Sequence, residues 1–160
     1  MRVAVLTIST SRSAGTDTSG DAIAAWVNKK EHTLVGRDLV SDDSAAIIAR
    51  LTEWCDTDAA DLILTTGGTG LSPTDVTPEA TRVVIEREAP GIAERIRSLA
   101  LVTFPRAGLS RGLAGSRNKT LIVNLPGSPN GVRDALSALD PIVAHACEVL
   151  RGTAVHDSSR

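Results

Sequence analysis

Asp61-Leu62-Ile63-Leu64-Thr65-Thr66-Gly67-Gly68-Thr69-Gly70 is the stretch that decides the fold class. Its first half is a short apolar run bounded by polar residues, the pattern of a strand buried on both faces. Its second half puts three glycines in four residues directly at the strand end. A chain leaving a sheet this way turns sharply and exposes main-chain N–H groups. The same grammar recurs on either side. Val3–Ile8 runs into Ser9-Thr10-Ser11-Arg12-Ser13, Thr33–Val40 into Ser41-Asp42-Asp43, and Lys119–Leu125 into Pro126-Gly127-Ser128-Pro129.

Helical patterns fill the intervals. Thr18 with Asp21 three residues on reads as a capping box ahead of Ile23, Trp26 and Val27. Ser41-Asp42-Asp43 caps a stripe of Ile47, Ile48, Leu51, Trp54 and Cys55. Thr77 opens a helix with Pro78 at its first position. Pro90 breaks the pattern and Ile92, Ile96 and Leu99 restart it; Val132, Leu136 and Leu139, then Val143, Cys147 and Leu150, mark two more helices. Strands that alternate with helices require crossovers, so the expectation is an α/β domain with a mainly parallel sheet covered on both faces. It occupies residues 1–152, followed by a polar C-terminal tail at 153–160. Ligands of such sheets sit beyond the carboxyl ends of the strands, where every unusual loop of this chain falls.

Composition narrows the function. Trp26, Trp54 and Phe104 are the only aromatic residues, and 17 Lys and Arg face 19 Asp and Glu for a net charge of −2. A nucleic-acid surface needs stacking faces or a basic stripe, and neither is present. No apolar run approaches the ~20 residues of a membrane span. The start, Met1–Ile8, is too short an apolar stretch for a signal peptide. Cys55 and Cys147, far apart and on helix faces, read as buried reduced thiols of a cytoplasmic protein. His32, His145 and His156 have no zinc-ligand spacing.

Each loop has a structural and a chemical reading. Gly67–Gly70 is either a tight turn or an anion cradle, but neither a Walker A loop nor a dinucleotide fingerprint. Asp75, five residues on, is either a turn or cap residue or a carboxylate facing a phosphate-held metal. Adjacent Asp42 and Asp43 diverge, so one can face a site while the other caps the helix behind it. Pro126–Asn130 is a chain reversal or a source of N–H donors. Arg111, Arg117 and Lys119 are either solvated surface or receivers of a substrate phosphate.

Taken together, Thr66-Gly67-Gly68-Thr69-Gly70, Asp75-Val76-Thr77-Pro78-Glu79-Ala80 and Asn124-Leu125-Pro126-Gly127-Ser128-Pro129 resemble the molybdopterin adenylyltransferase family. This is the Mog/MoaB type of molybdenum-cofactor protein, similar to the G domain of gephyrin. The resemblance runs from Val3 to about Leu150. It implies a three-layer α/β/α fold assembled as a homotrimer. It also implies Mg²⁺-dependent transfer of AMP from ATP to the terminal phosphate of molybdopterin, with pyrophosphate released and the product passed to a molybdate-insertion protein. Carried over residue by residue, it makes Asp42 (with Asp43 in competition) and Asp75 the catalytic and metal-binding carboxylates. Gly67, Gly68, Thr69, Gly70 and Ser72, with Pro126, Gly127, Ser128 and Pro129, become the substrate and nucleotide contacts. Family members often carry Ser-Asp after the first strand, where this chain has Ser9-Thr10-Ser11-Arg12. The alternative function is a non-catalytic molybdopterin carrier or scaffold of the MoaB type. A related-fold nucleotide enzyme of the competence-damage-inducible kind is a further rival. The intact Asp75-Val76-Thr77-Pro78 favours the adenylyltransferase.

Overall fold

In the computed structural model, which describes residues 1–154, the apolar runs become the centre of one six-stranded sheet. The elements are β1 (Arg2–Ile8), α1 (Thr18–Lys29), β2 (Thr33–Val40), α2 (Ser44–Asp56), β3 (Leu62–Thr66) and α3 (Thr77–Val84). They continue with β4 (Arg87–Glu88), α4 (Pro90–Leu101), β5 (Ala114–Arg117), β6 (Thr120–Leu125), α5 (Pro129–Leu139) and α6 (Val143–Arg151). Short 3₁₀ turns lie at Ala14–Thr16 and Pro105–Leu109. The strand order is β2-β1-β3-β6-β5-β4, with the first four parallel and β5 and β4 each antiparallel to its neighbour.

The continuous apolar runs are explained by burial on both faces. Val3, Val5, Leu62, Leu64, Leu121, Val123 and Leu125 point to the face covered by α1, α4, α5 and α6. Ala4, Leu6, Ile8, Ile63 and Ile122, the alternate residues, point to the face covered by α2 and α3. Successive side chains of a strand point to opposite faces, so both sets must be apolar. Truncating a fully buried member such as Leu64 to Ala would cost about 2–5 kcal/mol.

Two expectations need correction, and one pair of strands was not expected at all. The first helix is capped by Asp17, not by a box starting at Thr18: its carboxylate accepts from the Gly20 N–H at 2.9 Å and from the Thr7 hydroxyl at 2.8 Å. β3 begins at Leu62 because Asp61 is turned aside to bind the main-chain N–H and guanidinium of Arg2. The antiparallel edge made by β5 and β4 had no sequence signal, since Ala114-Gly115-Ser116-Arg117 is neither apolar nor β-branched. It is built instead by a tight reversal at Asn118 (φ 52°) that folds β5 back on β6. At the far end Gly152 (φ 70°) closes α6; residues 155–160 of the expected tail lie outside the described residues. Among the described residues no helix is long and apolar enough to cross a membrane.

Candidate active site

The four parallel strands end at Ile8, Val40, Thr66 and Leu125, which brings the loops that follow them to one edge of the sheet. Gly67 and Gly68 leave β3 with φ of 99° and 63°, a region that L side chains rarely enter. Space forbids a side chain as well. A Cβ on Gly67 would stand 2.2 Å from the Ile8 carbonyl oxygen, and one on Gly68 would stand 2.4 Å from the Thr77 hydroxyl. The turn is held by that same threonine. Thr77 donates its hydroxyl to the Gly67 carbonyl at 2.9 Å and its N–H to the Gly68 carbonyl at 3.1 Å. A second tie, from the Thr66 hydroxyl to the Pro126 carbonyl at 2.7 Å, joins the glycine loop to the Pro126–Pro129 loop. The Arg12 guanidinium adds a third by donating to the Gly127 carbonyl at 3.0 Å and to Ser19.

The carboxylates now separate by role. Asp43 spends both oxygens on the N–H groups of Ala45 and Ala46 and caps α2. Asp42 turns the other way, and its Oδ2 accepts from the N–H of Thr10 at 2.8 Å and the Thr10 hydroxyl at 2.5 Å. Asp75 is arranged alike: its Oδ2 accepts from the Ser72 N–H at 2.9 Å. Among the described residues no donor reaches Oδ1 of Asp42 or Asp75, and neither carboxylate has a cationic partner. Each is therefore oriented by neutral donors on one oxygen and open on the other. Both line one cavity with Thr10 and Thr74, and oxygen groups of this kind are the ligands that a hard cation takes.

Two cavities meet at this edge. The larger, about 950 Å³, runs between the Gly68–Gly70 loop, the start of α5 (Ser128 to Gly131) and the segment from Phe104 to Ser110. The smaller, about 460 Å³, is lined by Ser9 to Arg12, Asp42, Gly67, Thr74 and Asp75. Gly68, Asp75 and Gly127 line both. The start of an α-helix, with its unpaired N–H groups, favours anions, and the larger cleft ends against that of α5. Its opposite wall is apolar, from Ile96, Ala100, Phe104 and Leu109, with Arg97, Arg106 and Arg133 among its lining residues. The space suits a ligand with both an apolar part and a charged part.

Of the residues singled out in the sequence, Asp42, Asp75, Gly67 to Gly70 and Pro126 to Pro129 converge on these cavities. Ser72 lines neither; it supports Asp75 through its N–H. Arg117 and Lys119 sit at the opposite end of the sheet, where Arg117 forks onto Asp56 at 2.8 and 2.9 Å. The sequence reading left Thr10, Arg12 and the Phe104–Ser110 wall without a role in the site. Thr10 and Arg12 follow a strand end like the other loops, and that position was the available signal. The wall had none, because it reaches the cleft through the packing of α4 and not through a strand end.

Residues 4–145 match the family described as "Probable molybdopterin binding domain", MoCF_biosynth. A molybdopterin adenylyltransferase of Helicobacter pylori (strain J99) is 42% identical over 115 residues, 72% of this chain; the aligned part spans 65% of that relative's length. The molybdopterin adenylyltransferase of Escherichia coli K12 is 36% identical over 143 residues, covering 87% of this chain and 73% of its own. The crystal structure of the molybdopterin biosynthesis enzyme MoaB from Thermus thermophilus superposes with a TM-score of 0.87 at 44% identity, over 94% of this chain and 96% of that one. The glycine turn, the open carboxylates and the paired cavities are thus features of a chain that belongs to the molybdopterin-binding domain family of molybdenum-cofactor biosynthesis.

Proposed function

We propose that this chain is a molybdopterin adenylyltransferase, which joins AMP from ATP to the terminal phosphate of molybdopterin and releases pyrophosphate. The observation that carries the reading is the pair of adjoining cavities with Asp75 at their junction. Two substrates can then lie on either side of one carboxylate. An oxygen of the molybdopterin phosphate attacks the α-phosphorus of ATP, and the bond from that phosphorus to the β-phosphate oxygen breaks.

Phosphoryl and nucleotidyl transfer asks positioning and charge stabilisation of the protein, more than covalent chemistry. The N–H groups of Gly67 to Gly70 and of Gly127 and Ser128 hold phosphate oxygens. Asp42 and Asp75 present their open oxygens to Mg²⁺. When bound, that ion supplies positive charge at the reacting phosphate. Arg12 anchors the smaller cavity against the Gly127 loop, and the Phe104–Ser110 segment walls the larger one. The names borne by the relatives support the reading.

The chain acts as a homotrimer in the reducing cytosol and passes its product to a molybdate-insertion protein. Both thiols are free and buried, and burial pushes them up to about 11 at Cys55 and about 12 at Cys147, which leaves them unreactive. The test is incubation with molybdopterin, ATP and Mg²⁺ followed by pyrophosphate assay and mass detection of the adenylylated pterin. Pyrophosphate that requires both substrates is the expected result. Retention of molybdopterin without any product would overturn the enzyme reading in favour of a carrier.

A further inference from the structure

Arg111 stands apart from the rest of its basic group. It lines neither cavity, yet its main-chain N–H and two of its guanidinium nitrogens donate to the segment from Thr69 to Asp75. Its main-chain N–H donates to the Thr69 carbonyl at 2.8 Å, and its Nε donates to the Gly70 carbonyl at 2.6 Å. Its Nη2 donates to the Asp75 carbonyl at 2.6 Å, and its Nη1 pairs with the Glu79 carboxylate in the first turn of α3. One planar guanidinium thus spans both ends of the Gly70–Asp75 loop and ties it to the helix beyond. The same residue closely follows the Pro105–Leu109 wall of the larger cleft. Asp75 is therefore fixed from two sides: its main chain by Arg111, and its carboxylate by the Ser72 N–H.

We propose that Arg111 is a positioning residue that sets the place of the Asp75 carboxylate between the two cavities, acting through the loop and not on substrate. The inference rests on the function proposed above. A lysine keeps the charge but offers a single point donor, so it cannot bridge Gly70 and Asp75 as the fork does.

The experiment is a double-mutant cycle on pyrophosphate release with Arg111→Lys and Asp75→Asn. Arg111→Lys should lower kcat about 10-fold while KM for ATP and for molybdopterin moves less than about 3-fold. In the Asp75→Asn background the same substitution should change kcat less than about 2-fold, because the group being positioned is already gone. Equal effects in both backgrounds, or a wild-type kcat in Arg111→Lys, would overturn the proposal. Hydrogen exchange gives a readout independent of turnover. Amides of 70–76 should exchange faster in Arg111→Lys while those of β6 and α5 are unchanged, and unchanged exchange at 70–76 overturns the proposal too. If the wild type releases no pyrophosphate, the proposed function fails and exchange alone decides the role of Arg111. Glu79→Gln, which loosens only the Nη1 partner, serves if Arg111→Lys does not fold, and should move exchange in the same direction by a smaller factor.

Discussion

The aspartates at the amino end of the sheet and the two that line the smaller cavity use their carboxylates in opposite ways. At the amino end aspartates are matched by arginines: Asp61 with Arg2 at 2.9 Å, Asp58 with Arg2 and Arg151 at 3.1 and 2.5 Å, and Asp56 with Arg117 at 2.8 Å. Burial alone pushes the Asp61 carboxyl up, but the donors of Arg2 and the charge of Arg151 outweigh it and hold it below its ordinary value. Hydrogen bonds from Arg151 and Arg117 hold Asp58 and Asp56 low as well. At the carboxyl end Asp42 and Asp75 meet only neutral N–H and hydroxyl donors among the described residues. Internal counter-ions fasten a fold and leave a carboxylate nothing to offer. A carboxylate oriented without one is available to a cation from outside.

Asp75→Asn should produce the largest effect at the carboxyl end. The amide retains an acceptor for the Ser72 N–H but loses the charge, so turnover should drop about 10²- to 10³-fold with the thermal midpoint little changed. Asp61→Asn is the mirror image. It leaves Arg2 and Arg151 facing an amide at a site only 8% exposed, which should cost about 2–3 kcal/mol in denaturant unfolding with kcat of the folded protein unaltered. Asp42→Asn should lower turnover about 10-fold, less than Asp75→Asn, because Asp42 touches the smaller cavity alone.

The smallest effect is in acid. Asp17, Asp56, Asp58 and Asp61 are all held below their ordinary value of 3.8. For Asp17 burial opposes the shift, and the Gly20 N–H, the Thr7 hydroxyl and Arg37 overcome it. A carboxyl with a depressed folded pKa stabilises the fold above its unfolded value, and the contribution fades as pH falls through the folded one. Thermal midpoints should soften slightly below about pH 6.5, where burial disfavours the protonated form of His32, and decline further below about pH 4, the acid decline being less steep in Asp61→Asn. A decline near pH 6 larger than the acid one would mean that His32 outweighs the carboxyls.

Much of this contrast was legible in the residues. Strand–glycine junctions announce the carboxyl end, and the expectation that one of Asp42 and Asp43 caps the helix behind them follows from a helix start needing one cap, which Asp43 supplies. The homologous motif located Asp75 without any geometry. The hidden parts share one physical reason: they are made by contacts between groups far apart in sequence. Arg111 finds carbonyls 41 and 36 residues away, and Arg117 finds Asp56 across 61 residues. No local spacing distinguishes a guanidinium that binds substrate from one that binds its own main chain. β5 was missed for a related cause, since its pairing with β6 is imposed by the Asn118 reversal and not by apolar residues.

The most direct test crosses the two ends. ATP- and molybdopterin-dependent pyrophosphate release and unfolding free energy are determined side by side for wild type, Asp75→Asn and Asp61→Asn. The expected result is a clean exchange: Asp75→Asn loses turnover by about 10²-fold or more and keeps its stability, while Asp61→Asn loses about 2–3 kcal/mol and keeps its turnover. A well-folded Asp75→Asn protein with near-normal turnover would contradict the division of roles between the two ends.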